Sequence, residues 1–341
     1  MKYILSVITI GSFLLLSCGK KDTGTTVVTP TNLTVNAVVS TDNSGNVAFT
    51  ASATNASTYD YDFGNGVFQT VPTGIVTYKY PASGTYSVNV IAKSSTGQTI
   101  SQRTTVTVAV TQSLIFSDEF DANGAPDPSK WGYDIGTGSN GWGNNELQHY
   151  TNRLDNAFVS NGTLKIRAIR EAFSGSAFTS ARILTQNKFS FRYGKVEVRA
   201  KLPAGIGTWP AIWMLGNNIT TAGWPACGEI DIMEHKGSQL NRIHGTVHHP
   251  ARFGGNADGG TRDITNATTE FQIYSMEWNA ISIKFLVNGT VYHTVANTSS
   301  LPFNQNFFLI MNLAMGGTFG GAVESGFSNA TMEIDYIRVY Q

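Results

Sequence analysis

The segment Gly228-Glu-Ile-Asp-Ile-Met-Glu-His235 restricts the fold of this chain more than any other. It is short, rich in Ile and opens after a glycine, so it reads as a β-strand. Successive strand residues point to opposite faces, so Glu229 and Asp231 share one face while Ile230 and Ile232 share the other. One side of this strand must meet an apolar core and the other must carry carboxylates. Strict alternation would turn Glu234 toward the core, where an unpaired charge costs several kcal/mol. A β-bulge around Ile232-Met233 adds one residue and returns Glu234 to the acidic face. The two glutamates would then stand roughly 13 Å apart at Cα and lean toward one another.

Carboxyl groups about 5 Å apart are what a retaining glycosidase needs. Asp231 between the glutamates can hydrogen-bond a neighbouring carboxyl and hold its protonation state and rotamer. The competing reading is an acidic strand edge facing solvent. Alternation with apolar residues, and neighbouring Trp in place of Lys, disfavours it.

The rest of the chain also points to strands. Charged residues are 13% of the sequence, against about 25% in an average soluble protein. The formal net charge is zero, so nothing suits a nucleic-acid partner. The 35 glycines, the abundant Thr and Ser and the recurrent alternation predict an all-β protein. Its 341 residues leave room for about two domains.

Residues 1–17 carry Lys2 and then an apolar run ending at Leu16-Ser17-Cys18. This run is a signal peptide, too short to span a bilayer. It resembles a bacterial lipoprotein signal, in which Cys18 becomes the lipidated first residue. Residues 18–31 then form a polar, Thr-rich tether, and Lys20-Lys21-Asp22 is weakly similar to surface-export signals. The expected product is a lipoprotein anchored to the membrane and exposed at the cell surface. With Cys18 lipidated, Cys227 has no disulfide partner. Cys227 lies two residues before Glu229, so a catalytic thiol is one reading; a small buried apolar residue is the expectation.

Residues 32–112 are short strands and turns, with alternation at Tyr86, Val88, Val90 and Ala92. They predict a small Ig-like β-sandwich. Tyr59-Asp-Tyr-Asp-Phe-Gly-Asn-Gly66 and Gly84-Thr-Tyr86 resemble a polycystic-kidney-disease (PKD) module, with Asn65 where Asp is usual. No row of exposed aromatics is evident, so a spacer is expected. Residues 113–341 alternate through Thr163–Ala168 and Lys195–Ala200, and Ile281–Val287 runs into Asn288-Gly289, a strong hairpin signal. This pattern predicts one large jelly-roll sandwich.

The second region resembles glycoside hydrolase family 16 over its whole length. Glu229-Ile-Asp-Ile-Met-Glu234 is similar to the bulged acidic motif of laminarinase-like members. Gly141-Trp-Gly-Asn-Asn-Glu-Leu-Gln-His-Tyr-Thr151, Thr208-Trp-Pro-Ala-Ile-Trp-Met-Leu215, Gly245-Thr-Val-His248 and Asp335–Tyr340 resemble that group too. The resemblance implies Glu229 as nucleophile, Glu234 as acid/base and Asp231 as their assistant. It implies β-glucan as partner and no cofactor for catalysis.

Trp209 and Trp213 stand four apart in an extended segment and share a face, suited to stacking on sugar rings. Core packing is the alternative for any Trp, and Trp278 is expected to be core. Asn144 and Arg153 resemble groups that bond sugar hydroxyls on the non-reducing side, and His248 is expected to line the cleft. His244 and His249 beside it suggest zinc, which the carboxylate chemistry does not require. Glu119, Gly162 and Asp335 fall where the family often holds a structural calcium. The expected activity is a monomeric endo-acting β-1,3-glucanase. The alternatives are a mixed-linkage β-1,3-1,4-glucanase and a non-catalytic glucan-binding protein; the retained acids argue against the latter.

Overall fold

The computed structural model describes residues 27–341. The leader, Cys18 and the first part of the tether lie outside the described residues. One compact unit ends at Val108 and the other holds Ala109–Gln341.

The first unit pairs two antiparallel sheets. One contains Thr31–Val39, Asn46–Thr54 and Ile75–Lys79; the other contains Phe68–Val71, Thr58–Asp62, Gly84–Lys93 and Thr99–Val108. Period-2 alternation fills the space between them. Phe49 sends its ring between the sheets, with centroids 5.8 Å from Tyr61 and 5.7 Å from Phe63. This is the Ig-like sandwich expected from the sequence. Asn65 is buried and donates from Nδ2 to the Tyr78 hydroxyl at 2.8 Å, a bond an ionised Asp could not donate. Among the described residues of this unit, Phe68 is the one strongly exposed aromatic.

The second unit stacks a ten-stranded sheet on a seven-stranded one. The strands of the smaller sheet are, in chain order, β1 (Gly132–Asp134), β2 (Arg182–Leu184), β3 (Thr208–Gly216), β4 (Glu229–His235), β5 (Arg242–His248), β6 (Asp258–Asp263) and β7 (Phe307–Met315). Their order across the sheet is β6-β5-β4-β3-β7-β2-β1, antiparallel throughout. Ile212, Ile230, Val247 and Met311 point from this sheet into a core shared with Ile166, Val198, Met276 and Ile337 of the larger one. The interior strand β7 is buried along its whole length. Asn288 and Gly289 take positive φ of 49° and 76° between Ser282–Val287 and Thr290–Ala296, the hairpin turn expected of Asn-Gly. Trp278 is core, and its indole N–H finds the Phe303 carbonyl at 3.0 Å. The helical elements among the described residues are short turns such as Ile219–Ala222 and Gly317–Gly320. The outer face of the seven-stranded sheet is therefore free to carry a site.

Candidate active site

The bulge lies where the acidic motif requires it. Glu229, Ile230 and Asp231 of β4 pair with Leu215, Met214 and Trp213 of β3, whereas Met233 and Glu234 pair with Ile212 and Ala211. Ile232 is the extra residue. The ladder with β5 slips across the same gap, from Asp231 opposite Thr246 to Glu234 opposite His244. Ile232 and Met233 consequently both enter the core. Glu229, Asp231 and Glu234 all face a cleft of about 630 Å³ on the outer side of the sheet.

That cleft is walled by Trp142, Trp209, Trp213, Trp224 and Phe319. Two indoles donate directly to the acids. Trp209 Nε1 lies 2.9 Å from Glu234 Oε1, and Trp224 Nε1 lies 3.0 Å from Glu229 Oε2. His248 uses Nδ1 to accept the Gly254 N–H at 3.1 Å. A neutral imidazole so engaged carries its proton on Nε2. That nitrogen is 3.2 Å from Asp231 Oδ2 and 3.6 Å from Glu229 Oε1.

Burial dominates the electrostatics. Loss of solvent pushes the carboxyls of Glu229, Asp231 and Glu234 each up to about 8. The charge of Asp231 raises both glutamates further; His248 and Arg182 oppose this at Glu229, and the Trp209 N–H opposes it at Glu234. Acids this close titrate as a coupled set. Near neutrality the set retains protons, so one carboxyl can donate while another stays ionised.

The other residues singled out in the sequence are distributed as follows. Trp209, Trp213, Asn144 and His248 line the cleft. Trp213 donates to Asn312 Oδ1 at 2.7 Å, and Asn312 Nδ2 reaches the Tyr150 hydroxyl at 2.9 Å. Tyr150 in turn bonds Glu146, which also holds Asn144 at 3.2 Å and Gln148 at 2.7 Å. Arg153 is not among the cleft-lining side chains. It pairs with Glu171, bonds Thr179 and Asn156, and lies over the Phe173 ring. The cleft arginine is Arg182. Sequence reasoning does not identify Arg182, Glu146, Trp224, Asn312 or Phe319. The one local signal is for Glu146, which lies inside the Gly141–Thr151 loop motif.

Neither metal reading assembles from side chains. Glu119 is paired through both oxygens with Arg338, at 2.9 and 2.8 Å, and Asp335 pairs with Arg199. The ammonium of Lys165 serves the turn carbonyls flanking Gly162. Glu119, Asp335 and the turn around Gly162 are thus engaged with arginines and a lysine, and nothing in the structure shows the calcium expected there. His244 packs edge-on to Phe319 and His249 edge-on to Phe303. Among the described residues, the side chains that converge as a metal would require are Glu229, Asp231 and His248, the acids themselves with their histidine.

The family model for glycosyl hydrolases family 16 matches residues 143–338, and that for the PKD domain matches residues 23–110. The chain is 45% identical over 244 residues to a β-glucanase of Rhodothermus marinus, covering 67% of this chain and 85% of that protein. It is 39% identical over 250 residues to a glucan endo-1,3-beta-glucosidase of Cryptopygus antarcticus, covering 66% and 90%. Among solved structures, the laminarinase from Rhodothermus marinus matches with a TM-score of 0.65 at 46% identity, over 68% of this chain and 98% of that one.

Cys227 is fully buried, and burial pushes its thiol up to about 11. It should be inert, as expected of a small apolar residue. In residues 113–341 produced alone, an aromatic disulfide reagent at pH 8 should label no thiol until denaturant is added. Rapid labelling of the native protein would show a reactive thiol beside the acids.

Proposed function

The chain belongs to glycosyl hydrolase family 16, and from that membership we propose that it is an endo-acting, retaining β-glucanase of laminarin-like β-1,3-glucan. One observation carries the reading: three carboxyls, Asp231 buried and Glu229 and Glu234 half-buried, stand side by side on the floor of a tryptophan-walled cleft. The names of the relatives, laminarinase and glucan endo-1,3-beta-glucosidase, support the choice of polymer.

In this reading Glu234 is the acid. It gives its proton to the glycosidic oxygen as the bond from that oxygen to the anomeric carbon breaks. Ionised Glu229 attacks the same carbon and forms a glycosyl ester with inverted configuration. The Glu234 carboxylate then takes a proton from water, whose oxygen displaces Glu229 in a second inversion. Side chains and water suffice for both steps. Arg182 and His248 favour the ionised form of Glu229. Asp231 assists by its charge, which raises Glu234 and so helps it keep a proton. The aromatic walls give the apolar faces of the sugar rings a surface to stack on.

We further propose that Cys18 carries a lipid and that residues 32–112 act as a spacer between anchor and enzyme. The support for this is the sequence. Among the described residues no helix is long and apolar enough to cross a membrane.

Glu229→Gln and Glu234→Gln should each lower kcat on laminarin by about 100-fold or more without unfolding the domain. Azide should restore turnover to Glu229→Ala and yield a glycosyl azide of inverted configuration; full activity in either Gln variant would sink the assignment. Parallel digests of mixed-linkage glucan and agarose test the polymer.

Trp209→Phe keeps the ring but removes the N–H that holds Glu234 down. The carboxyl of Glu234 should rise. Because a general acid fails as pH climbs through its pKa, the alkaline limb of the kcat profile should move to higher pH. A limb that stays put or moves down would contradict Glu234 as the acid.

Cys18→Ala should leave kcat on soluble glucan unchanged and release the protein from the membrane fraction. Metabolic labelling with a fatty-acid probe followed by fractionation reads this. An unlabelled wild-type chain in the soluble fraction would mean that Cys18 is incidental.

A further inference from the structure

The outer face of the four-stranded sheet in the first unit carries four side chains in register. Phe68 pairs with Asp62, Asp62 with Asn89 and Asn89 with Arg103, so one residue from each strand stands beside the next. Tyr61, Val88 and Val90 next to them in the chain are buried, so this row faces outward. Three strand spacings make it about 14 Å long. Phe68 is 71% exposed, and among the described residues its ring meets no other ring. Asp62 is steadied by its turn and accepts the Gly64 N–H on Oδ1 at 3.0 Å. Among the described residues, the Asn89 amide and the Arg103 guanidinium have no hydrogen-bond or ion-pair partner. The adjacent row of Thr70, Asp60, Ile91 and Ser101 is different, because its acid is already satisfied. Asp60 accepts the Thr70 hydroxyl at 2.6 Å and pairs with Lys93.

We propose that Phe68, Asp62, Asn89 and Arg103 form a second glucan-binding site, on the first unit and separate from the catalytic cleft. The identity of the polymer rests on the glucanase reading. A single exposed apolar side chain is ordinary on a protein surface. Phe68 instead stands in line with three planar polar groups, two of them unpartnered. The ring offers a stacking surface to the apolar face of a sugar. Beside it the carboxylate accepts, the guanidinium donates and the amide does both, so hydroxyls of either sense find a partner. One acid and one base cancel, which suits an uncharged polyhydroxyl chain better than an anionic or a cationic partner. The row is straight and lies on an open sheet face, so a polymer can cross it without presenting an end. A site this exposed binds weakly by itself. Its covalent link to the catalytic unit keeps a retained polymer at high effective concentration for the cleft. The module then holds substrate as well as spacing the enzyme from its anchor.

The test measures depletion of the full chain from solution by insoluble linear β-1,3-glucan, in a Glu229→Gln background so that the polymer is not cut. Adding Phe68→Ala should weaken retention about tenfold, or roughly 1.4 kcal/mol. Adding Arg103→Ala should weaken it about threefold, the size of one lost hydrogen bond. Phe68→Trp keeps a stacking ring and should retain the chain as well as Phe68 does. Both positions are exposed, so the substitutions should leave the fold intact. With Glu229 restored, the same variants should hydrolyse laminaripentaose at the wild-type rate, because they lie outside the catalytic unit. Unchanged retention in either Ala variant, a Trp variant as weak as Ala, or a parallel loss of laminaripentaose hydrolysis would each overturn the proposal. So would a Phe68→Ala variant that changes sedimentation and not retention, since Phe68 would then meet a second copy of the chain. A wild-type chain that leaves laminaripentaose and laminarin intact would instead defeat the glucanase reading, and retention would still test the row.

Discussion

The site depends on one extra residue. Ile232 puts β4 out of step with both neighbours between Asp231 and Glu234. A regular strand would leave Glu234 pointing into the same core that Ile232 and Met233 now fill. The bulge resolves a conflict between two demands on seven residues: three carboxyls on one face and three apolar side chains on the other. Its position is set from the core side. Two consecutive buried side chains, Ile232 and Met233, hold the slip in place.

The cost of this arrangement is electrostatic. All three acids are held above their ordinary range by burial. A folded state that keeps these protons binds more of them than the unfolded chain between the ordinary carboxyl range and about pH 8. Stability contributed by this site therefore falls as pH rises through that window. The indole N–H groups of Trp209 and Trp224 and the His248 ring offset part of the cost. The larger return is functional, because a buried acid can stay protonated at neutral pH beside one that does not. The outer face of the other sheet follows the opposite logic, with Lys201–Glu333 and Arg338–Glu119 pairs at its surface.

Much of this is legible in the sequence because it is encoded locally. The bulge follows from the spacing of Glu229, Asp231 and Glu234. The shared face of Trp209 and Trp213 follows from strand period, and the Asn288-Gly289 turn from its dipeptide. Features that depend on remote partners are not legible. Arg182 sits in an unremarkable Ala-Arg-Ile run, and only the pairing of β2 with β1 and β7 carries it to the cleft. Trp224 reaches Glu229 from a loop before the strand, and Phe319 arrives from the far end of β7. Arg153 is close to the loop motif in sequence, but Glu171 and Thr179 draw it into a separate network. Glu119 and Asp335 fall where the resemblance implies a calcium, and in the structure they pair with arginines on neighbouring strands.

Catalysis in this cleft rests on two carboxyls acting on opposite sides of one anomeric centre in two displacements. Proton NMR of a fresh laminari-oligosaccharide digest, recorded before mutarotation, reads this directly. The new reducing end should appear first as the β-anomer and equilibrate later. First appearance of the α-anomer would mean single displacement by water, and Glu229 would then not be the nucleophile nor Glu234 its acid/base partner.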